Sequence, residues 1–312
     1  MRVEVLERPF EPKPVVLCAG IAVLDFIFRV ERFPTTDTKA PMLEFLTTGG
    51  GCAANAAIAI ARLGGSARFA GPLGADEHGA RVLEGLAHTG VDTVGAVRLA
   101  GAATCVSGIF LDRDGERLLT TRRDDALAST RPDAPERMLH GVDALLVDNH
   151  FPRFVVAICE AARVRGVPIV LDVDKPAASH DALFGLATHA IFSAEALRAT
   201  TGLEDLAAGL ARACEMCRGF VAVTDGGNGA LWRAGDAAGH APAFAVEAAD
   251  TLAAGDVFHG AFALALAEGR AEREALAFAS AAAGLKCTRF GGIVGTPQRA
   301  EVERLLEKKP QH

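Results

Sequence analysis

The sequence predicts an α/β protein built as a three-layer sandwich: a mostly parallel sheet, helices on both of its faces, and a small β lid. Three observations carry this. From about residue 144 onward, short apolar runs alternate with helical patterns, as they do where crossover helices join successive parallel strands. Residues 103–121 read instead as a hairpin, with Asp112-Arg113-Asp114-Gly115 as the turn between two strand-like arms. Asp25, Asp148, Asp172 and Thr224 all fall at or just after predicted strand ends, the rim at which open α/β sheets collect ligands.

The elements follow in chain order. Residues 1–13 are expected to form an N-terminal extension, and 14–312 a single domain whose lid comes from about 26–48 and 103–122. The apolar run 15–20 ends in glycine and suits a buried strand, and an alternating pattern up to Val30 predicts a second. Residues 49–63 open on three glycines and continue as an alanine-rich helix. Phe69-Ala70-Gly71 reads as a strand tip. Residues 78–88 read as an amphipathic helix with Val82, Leu83 and Leu86 on one face. The hairpin arms are 104–111 and 117–121. Beyond them, strands are predicted at 144–147, 169–171, 190–192 and 220–224, and helices at 153–165, 195–201, 205–217, 255–268 and 272–286.

Composition narrows the function classes. The chain has 312 residues, half of them hydrophobic, enough for one large α/β domain. Its net charge of −7 argues against a broad nucleic-acid surface, which needs clustered Lys and Arg. Seven scattered cysteines suit a reduced, cytoplasmic protein rather than a disulfide framework. Cys214 and Cys217 form a lone CxxC with no second pair, which fits a buried helix face better than zinc. Neither a secretory signal nor an apolar stretch long enough to span a membrane is visible, so no membrane role is expected.

The chemistry concentrates in residues 250–260, DTLAAGDVFHG. The small residues Ala253, Ala254 and Gly255 lead into an apolar helix that starts near Asp256. Backbone N–H groups at a helix N-terminus bind anions, and the helix dipole adds to the attraction. Small side chains let a phosphate approach the backbone, and an Asp placed there can take a proton from a hydroxyl. On spacing alone, Asp250 or Asp256 serves equally well as a helix N-cap.

DTLAAGD resembles the DTxGAGD signature of the PfkB family of ribokinase-like carbohydrate kinases. Gly50-Gly51-Cys52-Ala53-Ala54-Asn55 resembles the family's substrate-side GGxxxN motif, and Thr224-Asp225-Gly226-Gly227-Asn228-Gly229 its nucleotide-side TxGxxG motif. Asp25 resembles the family's sugar-binding Asp. Four motifs in the family's order, over about residues 14–305, make the resemblance specific. It implies a ribokinase-like fold and transfer of the ATP γ-phosphate to a primary hydroxyl of a sugar or sugar derivative. Asp256 would be the base, with Ala253 in the turn before an anion hole of Ala254, Gly255 and Asp256 N–H groups. Asp25, Gly50, Gly51 and Asn55 would hold the sugar. Ser193, Thr224, Gly226, Gly229 and Gly292 would line the nucleotide, with 281–292 approaching the adenine. Mg²⁺ would bridge the phosphates. A monovalent cation such as K⁺ has its place in many relatives where Gly291 and Gly292 meet the backbone of Asp250 and Leu252. Many relatives also form homodimers through the lid.

Two departures mark this chain. The family usually has Gly where Ala253 stands, so the turn must keep φ below zero there or carry strain. Ser193 and Ala196 replace the Asn and Glu of the NxxE motif, with Glu195 one residue away, which leaves the protein ligand of Mg²⁺ unassigned. The segment 250–260 together with 285–292 most resembles the branch containing sulfofructose kinase. That branch's sulfonate-holding Asn and Arg become Thr121 and His150 here. Arg122 and Arg123 are adjacent candidates for another anion, or two solvated charges on a lid edge. His150 is a candidate for a substrate hydroxyl, or a cap for the following helix. Asp172-Val173-Asp174-Lys175 follows a core strand, where similar kinases carry an acidic or amide residue near the phosphates.

Three alternatives stand beside a sugar kinase. One is a nucleoside kinase of the same fold. Another is a catalytically silent sugar-binding relative, suggested by Ala253 and the altered NxxE. The third is a nicotinamide-dependent dehydrogenase, disfavoured because Gly20-Ile21-Ala22 does not continue as GxGxxG.

Overall fold

The structure, a computed structural model, describes residues 13–34, 39–113, 115–178 and 181–308. The expected N-terminal extension, except Lys13, and the turn residue Asp114 lie outside the described residues.

The larger of two sheets has nine strands. In chain order these are β1 (Val15–Ala19), then β4 (Ser66–Gly74) and β5 (Asp92–Leu99), then β8 (Ala144–Asp148), β9 (Ile169–Val173), β10 (His189–Ser193), β11 (Phe220–Thr224), β12 (Ala230–Ala234) and β13 (Ala237–Ala241). The smaller sheet takes β2 (Val23–Val30), β3 (Met42–Gly50), β6 (Cys105–Leu111) and β7 (Arg117–Arg122). Across the large sheet the order is β13-β12-β11-β10-β9-β8-β1-β4-β5, parallel except at β12 and β13. The small sheet runs β3-β2-β6-β7. The helices are α1 (Cys52–Arg62), α2 (Glu77–His88), α3 (Asp125–Ala128), α4 (Pro135–Met138), α5 (Pro152–Arg165), α6 (Ala182–Leu186), α7 (Ala194–Thr201), α8 (Leu206–Met216), α9 (Ala254–Ala267), α10 (Glu272–Cys287) and α11 (Arg299–Glu307).

The three layers come from strand alternation. Val16 and Cys18 of β1 and Ala144 and Leu146 of β8 face α1, α9 and α10 on one side. Leu17 and Ala19, with Leu145 and Val147, face α5, α7 and α8 on the other. Both sheet faces are covered, so these strands read as continuous apolar runs. The segment ends are punctuated as their residues require. Pro152 opens α5 where its missing N–H costs nothing, and Gly166 closes it in the left-handed conformation. Asp76 caps α2 through Gly79 N–H (2.9 Å) and accepts from Thr104 N–H (2.9 Å), tying that helix to the start of β6 in the lid.

Most expected elements are present within a residue or two. Four strands were not expected. Gly49 and Gly50 end β3 rather than opening the helix, which begins at Cys52 after Gly51 (φ 93°). β5, β12 and β13 are the others, the last two forming an antiparallel hairpin on the sheet edge. Their alanine-rich sequences carry little strand signal, and they take their form from pairing, β12 with β11 and β13 with β12.

Candidate active site

The cleft between the lid and the C-terminal ends of the parallel strands gathers most of the sequence-predicted residues. Asp25 lies within β2, a lid strand, rather than at the end of β1. Its register partners are Thr48 and Ser107. Burial pushes its carboxyl up to about 6, against the hydrogen bond from Ser107. Gly50 lies close to it: a methyl there would stand 1.9 Å from Asp25 Oδ2, so only glycine lets the carboxylate sit where it does. Asn55, in the first turn of α1, donates through Nδ2 to Asp256 Oδ2 at 2.6 Å. Its Oδ1 is buried without a partner, an acceptor facing the cleft.

Asp256 sits in the first turn of α9. Burial pushes its carboxyl up to about 7, with the charges of Asp174 and Asp25 adding and the Asn55 hydrogen bond opposing. The turn before it takes the strained alternative. Ala253 has φ 63° and ψ 10°, the one positive-φ residue other than glycine among the described residues. Such a conformation costs roughly 1–2 kcal/mol for a residue with a Cβ. Ala254 N–H closes a turn on Thr251 O (3.2 Å), so Gly255 and Asp256 offer the next amides, where a helix supplies no acceptor of its own.

A second group lies at the ends of β8 and β9. Asp148 is fully buried and accepts from the N–H groups of Ile21 (2.7 Å), Ala53 (3.2 Å) and His150 (3.0 Å). His150 Nδ1 meets the Arg123 guanidinium at 2.9 Å, which makes Nδ1 an acceptor and directs Nε2–H at Asp174 Oδ2 (3.1 Å). That bond holds the Asp174 carboxyl below its ordinary range. Cys52 Sγ lies 3.8 Å from the same Nε2, and burial pushes its thiol well up. His259, one turn after Gly255, donates Nδ1–H to Gly255 O (2.7 Å), leaving Nε2 at 3.4 Å from Asp172 Oδ1. Burial, then the charges of Asp174, Asp256 and Asp148, push Asp172 well up.

Arg122 is exposed and on the opposite face of β7 from Thr121, by strand alternation. Arg123 is the arginine that reaches His150. Thr121 turns inward and shares a 2.9 Å hydrogen bond with Ser107.

The nucleotide-side residues line the ends of β10 and β11. Ser193 Oγ caps α7 by accepting from Ala196 N–H (3.1 Å), and Glu195 is exposed. Thr224 is its register partner. Gly226 and Gly229 bracket a short 3-10 turn, and a methyl on Gly229 would meet Ala241 O at 2.2 Å. Gly292 N–H is already engaged, donating to Asp250 Oδ2 at 2.9 Å. Beside it, where the sequence suggested a monovalent cation, stands the side chain of Lys286. Its Nζ is 2.8 Å from Asp250 O and 3.3 Å from Asp250 Oδ2.

Sequence reasoning singled out neither Ser107, His259 nor Lys286. His259 had a legible signal, its i, i+4 spacing from Gly255. The other two owe their places to partners distant in the chain.

Known proteins resemble the whole chain. A family model described as pfkB family carbohydrate kinase matches residues 13–299. Ribokinase of Bacillus subtilis is 30% identical over 92% of this chain and 97% of its own. A solved Agrobacterium tumefaciens structure, provisionally called a ribokinase, superposes with TM-score 0.91 at 39% identity, covering 96% of this chain and 98% of that one. Arabidopsis thaliana ribokinase in complex with ribose and ATP gives TM-score 0.83 at 26% identity, covering 95% and 99%.

Proposed function

We infer, from the premise that this chain belongs to the pfkB family of carbohydrate kinases, that it moves the ATP γ-phosphate to a primary hydroxyl of a sugar with Asp256 as the base. The observation that carries the assignment of the base is the Asn55–Asp256 pair. A half-buried carboxylate with its pKa raised to about 7 is matched to taking a proton near neutrality. It stands at the start of α9, where the amides of Gly255 and Asp256 suit the transferring phosphoryl group. Asn55 Oδ1, buried without a partner, needs a donor that a sugar hydroxyl supplies, and the buried Asp25 carboxylate can accept another beside its bond from Ser107. Gly50 and Gly51 let Asp25 and the Ile21 backbone pack close beside this site, where a methyl would meet them at 1.9 and 2.7 Å. Ser193, Thr224, Gly226 and Gly229 face the nucleotide side, and Gly292 acts there through the backbone it holds in place.

The carboxylates fit Mg²⁺. Asp172 and Asp174 offer hard oxygen donors, and Asp172, Asp256 and Cys52 place ligand atoms within 4.8 Å of one another. Asp172, or Asp174 in a separate group with Cys52 and His150, would hold the ion together with the ATP phosphates, and the ion would neutralise charge on those phosphates. Burial chiefly pushes up Asp172, and the repulsion from Asp174, Asp256 and Asp148 that adds to it is the part a divalent cation would relieve. These donors favour a metal near the β9 end over one at Ser193 or Glu195.

Sugar hydroxyls would meet Asp25 and Asn55, and His150 with its partner Arg123 is the further candidate contact. Ribose, the ligand of the Arabidopsis relative, heads the candidates. The sulfofructose kinase branch remains a sequence resemblance, with Thr121 bonded to Ser107 and His150 bonded to Asp174. The lid carries exposed Met42, Leu43, Phe45, Leu118 and Leu119, which suits the homodimer expected there. The test is ADP release with purified protein over pentoses, ketoses, sugar acids, sulfosugars and nucleosides. Turnover of a sugar supports the assignment. Turnover of nucleosides alone moves it to that class, and sugar binding without ATP use on any substrate makes the chain a silent relative.

A further inference from the structure

Among the described residues Lys286 is the one lysine in the core, with no solvent exposure at all. It lies in the last turn of α10, among residues that are otherwise apolar or small. Burying an ammonium costs several kcal/mol unless oxygens surround it. Here they do. Nζ touches the carbonyl oxygen of Asp250 at 2.8 Å and its Oδ2 at 3.3 Å.

Asp250 is itself the knot of the region. Its Oδ1 accepts from Leu252 N–H (2.7 Å), and its Oδ2 from the N–H groups of Gly291 (3.0 Å) and Gly292 (2.9 Å). Ala249 and Asp250 N–H both reach Cys287 O, at 2.8 and 3.1 Å. The ammonium therefore joins the end of α10, the 291–292 turn and the first residue of the segment that leads through Ala253 into α9. Ala253 holds a left-handed conformation, which persists only where the surroundings impose it. A point charge held by a backbone carbonyl and a carboxylate is how a small monovalent cation would also be held, and an ammonium is close to K⁺ in size and charge.

We propose that the Lys286 ammonium is a built-in monovalent cation: it fixes the 250–254 turn and through it the Gly255 and Asp256 amides, so that the protein works without dissolved K⁺. Lys286 is a positioning residue, touching neither sugar nor nucleotide. The inference rests on the phosphotransfer assignment for its kinetic consequence and on geometry alone for its structural one.

Two measurements separate these. In the first, wild-type ADP release is compared in K⁺, Na⁺, Cs⁺ and choline salts at one ionic strength. Equal rates are expected, and clear activation by K⁺ over choline overturns the proposal. In the second, K286A is melted in the same salts with K⁺, ammonium and methylammonium added. Its melting temperature is expected to rise with K⁺ and ammonium and not with choline, whereas wild type and K286M respond to none. A K286A that melts identically in every salt overturns the proposal, even where no sugar substrate has been found. With a substrate in hand, K286A is expected to lose about a hundredfold in kcat, the cost of a displacement near 1 Å, with little change in sugar KM. Ammonium or K⁺ restores the rate. A loss that no cation restores in folded K286A overturns the built-in cation.

Discussion

Replacing Asp256 by Asn separates the carboxylate's chemistry from its burden on stability. Burial pushes this carboxyl from 3.8 up to about 7. A folded state that holds a proton more tightly than the unfolded chain is stabilised at low pH and loses that advantage as pH climbs from the unfolded pKa through the folded one. With these two values, ionising Asp256 costs the fold about 4 kcal/mol at pH 8 and under about 2 kcal/mol at pH 5. The amide of D256N cannot ionise and still offers Asn55 Nδ2 an acceptor oxygen. At roughly 2 cal/mol/K of unfolding entropy per residue, the difference between the two pH values corresponds to about 4 °C in this chain. D256N is therefore expected to melt above wild type, and by about 4 °C more at pH 8 than at pH 5. Its turnover is expected to fall by about 10²–10⁴, the contribution of a general base. Wild-type kcat/KM should itself rise with pH up to about 7, because the base acts only when deprotonated. The assays are coupled ADP release and thermal melting at the two pH values. A melting advantage unchanged between pH 5 and pH 8 refutes the burial argument, and near-normal D256N turnover refutes the base.

Two further substitutions test the surroundings. G50A places a methyl 1.9 Å from Asp25 Oδ2 and should expel that carboxylate. The expected result is a loss of about 10–100-fold in sugar kcat/KM, the worth of a charged hydrogen bond, with ATP affinity measured by calorimetry unchanged. D148A strips an acceptor from the N–H groups of Ile21, Ala53 and His150. Urea unfolding should show a loss of about 3–9 kcal/mol, since each of the three orphaned donors costs about 1–3 kcal/mol.

The sheet and its rim were legible in the sequence because central parallel strands are apolar on both faces and the site motifs are local. DTLAAGD and GGxxxN each place their chemistry within one turn. What the sequence hid depends on parity or on distant partners. Arg122 and Arg123 look alike as letters, yet one step along the chain decides which reaches His150. Lys286 falls in a helical pattern where a lysine ordinarily marks the solvent side, and only Asp250, 36 residues earlier, explains its burial. β13 is written in alanine and glycine, and its pairing with β12 is a property of the assembled edge. Ala253 was foreseen as either strained or φ-negative, and the helix that follows it selected strain.

The Asp148 carboxylate also constrains when the protein can become itself. β1 comes first in the chain among the described strands, yet it lies inside the sheet, between β4 and β8. Its loop to the lid is pinned by Ile21 N–H on Asp148, 127 residues later. At ordinary synthesis speeds those residues take roughly 6–25 s to appear. Throughout that interval β1 keeps at least one open edge and the Ile21 N–H lacks its acceptor. Vectorial synthesis thus delivers the half that carries Asp25 and Asn55, the residues proposed to hold the sugar, ahead of the strand that completes it, a period in which a chaperone or a slower stretch of translation has something to protect.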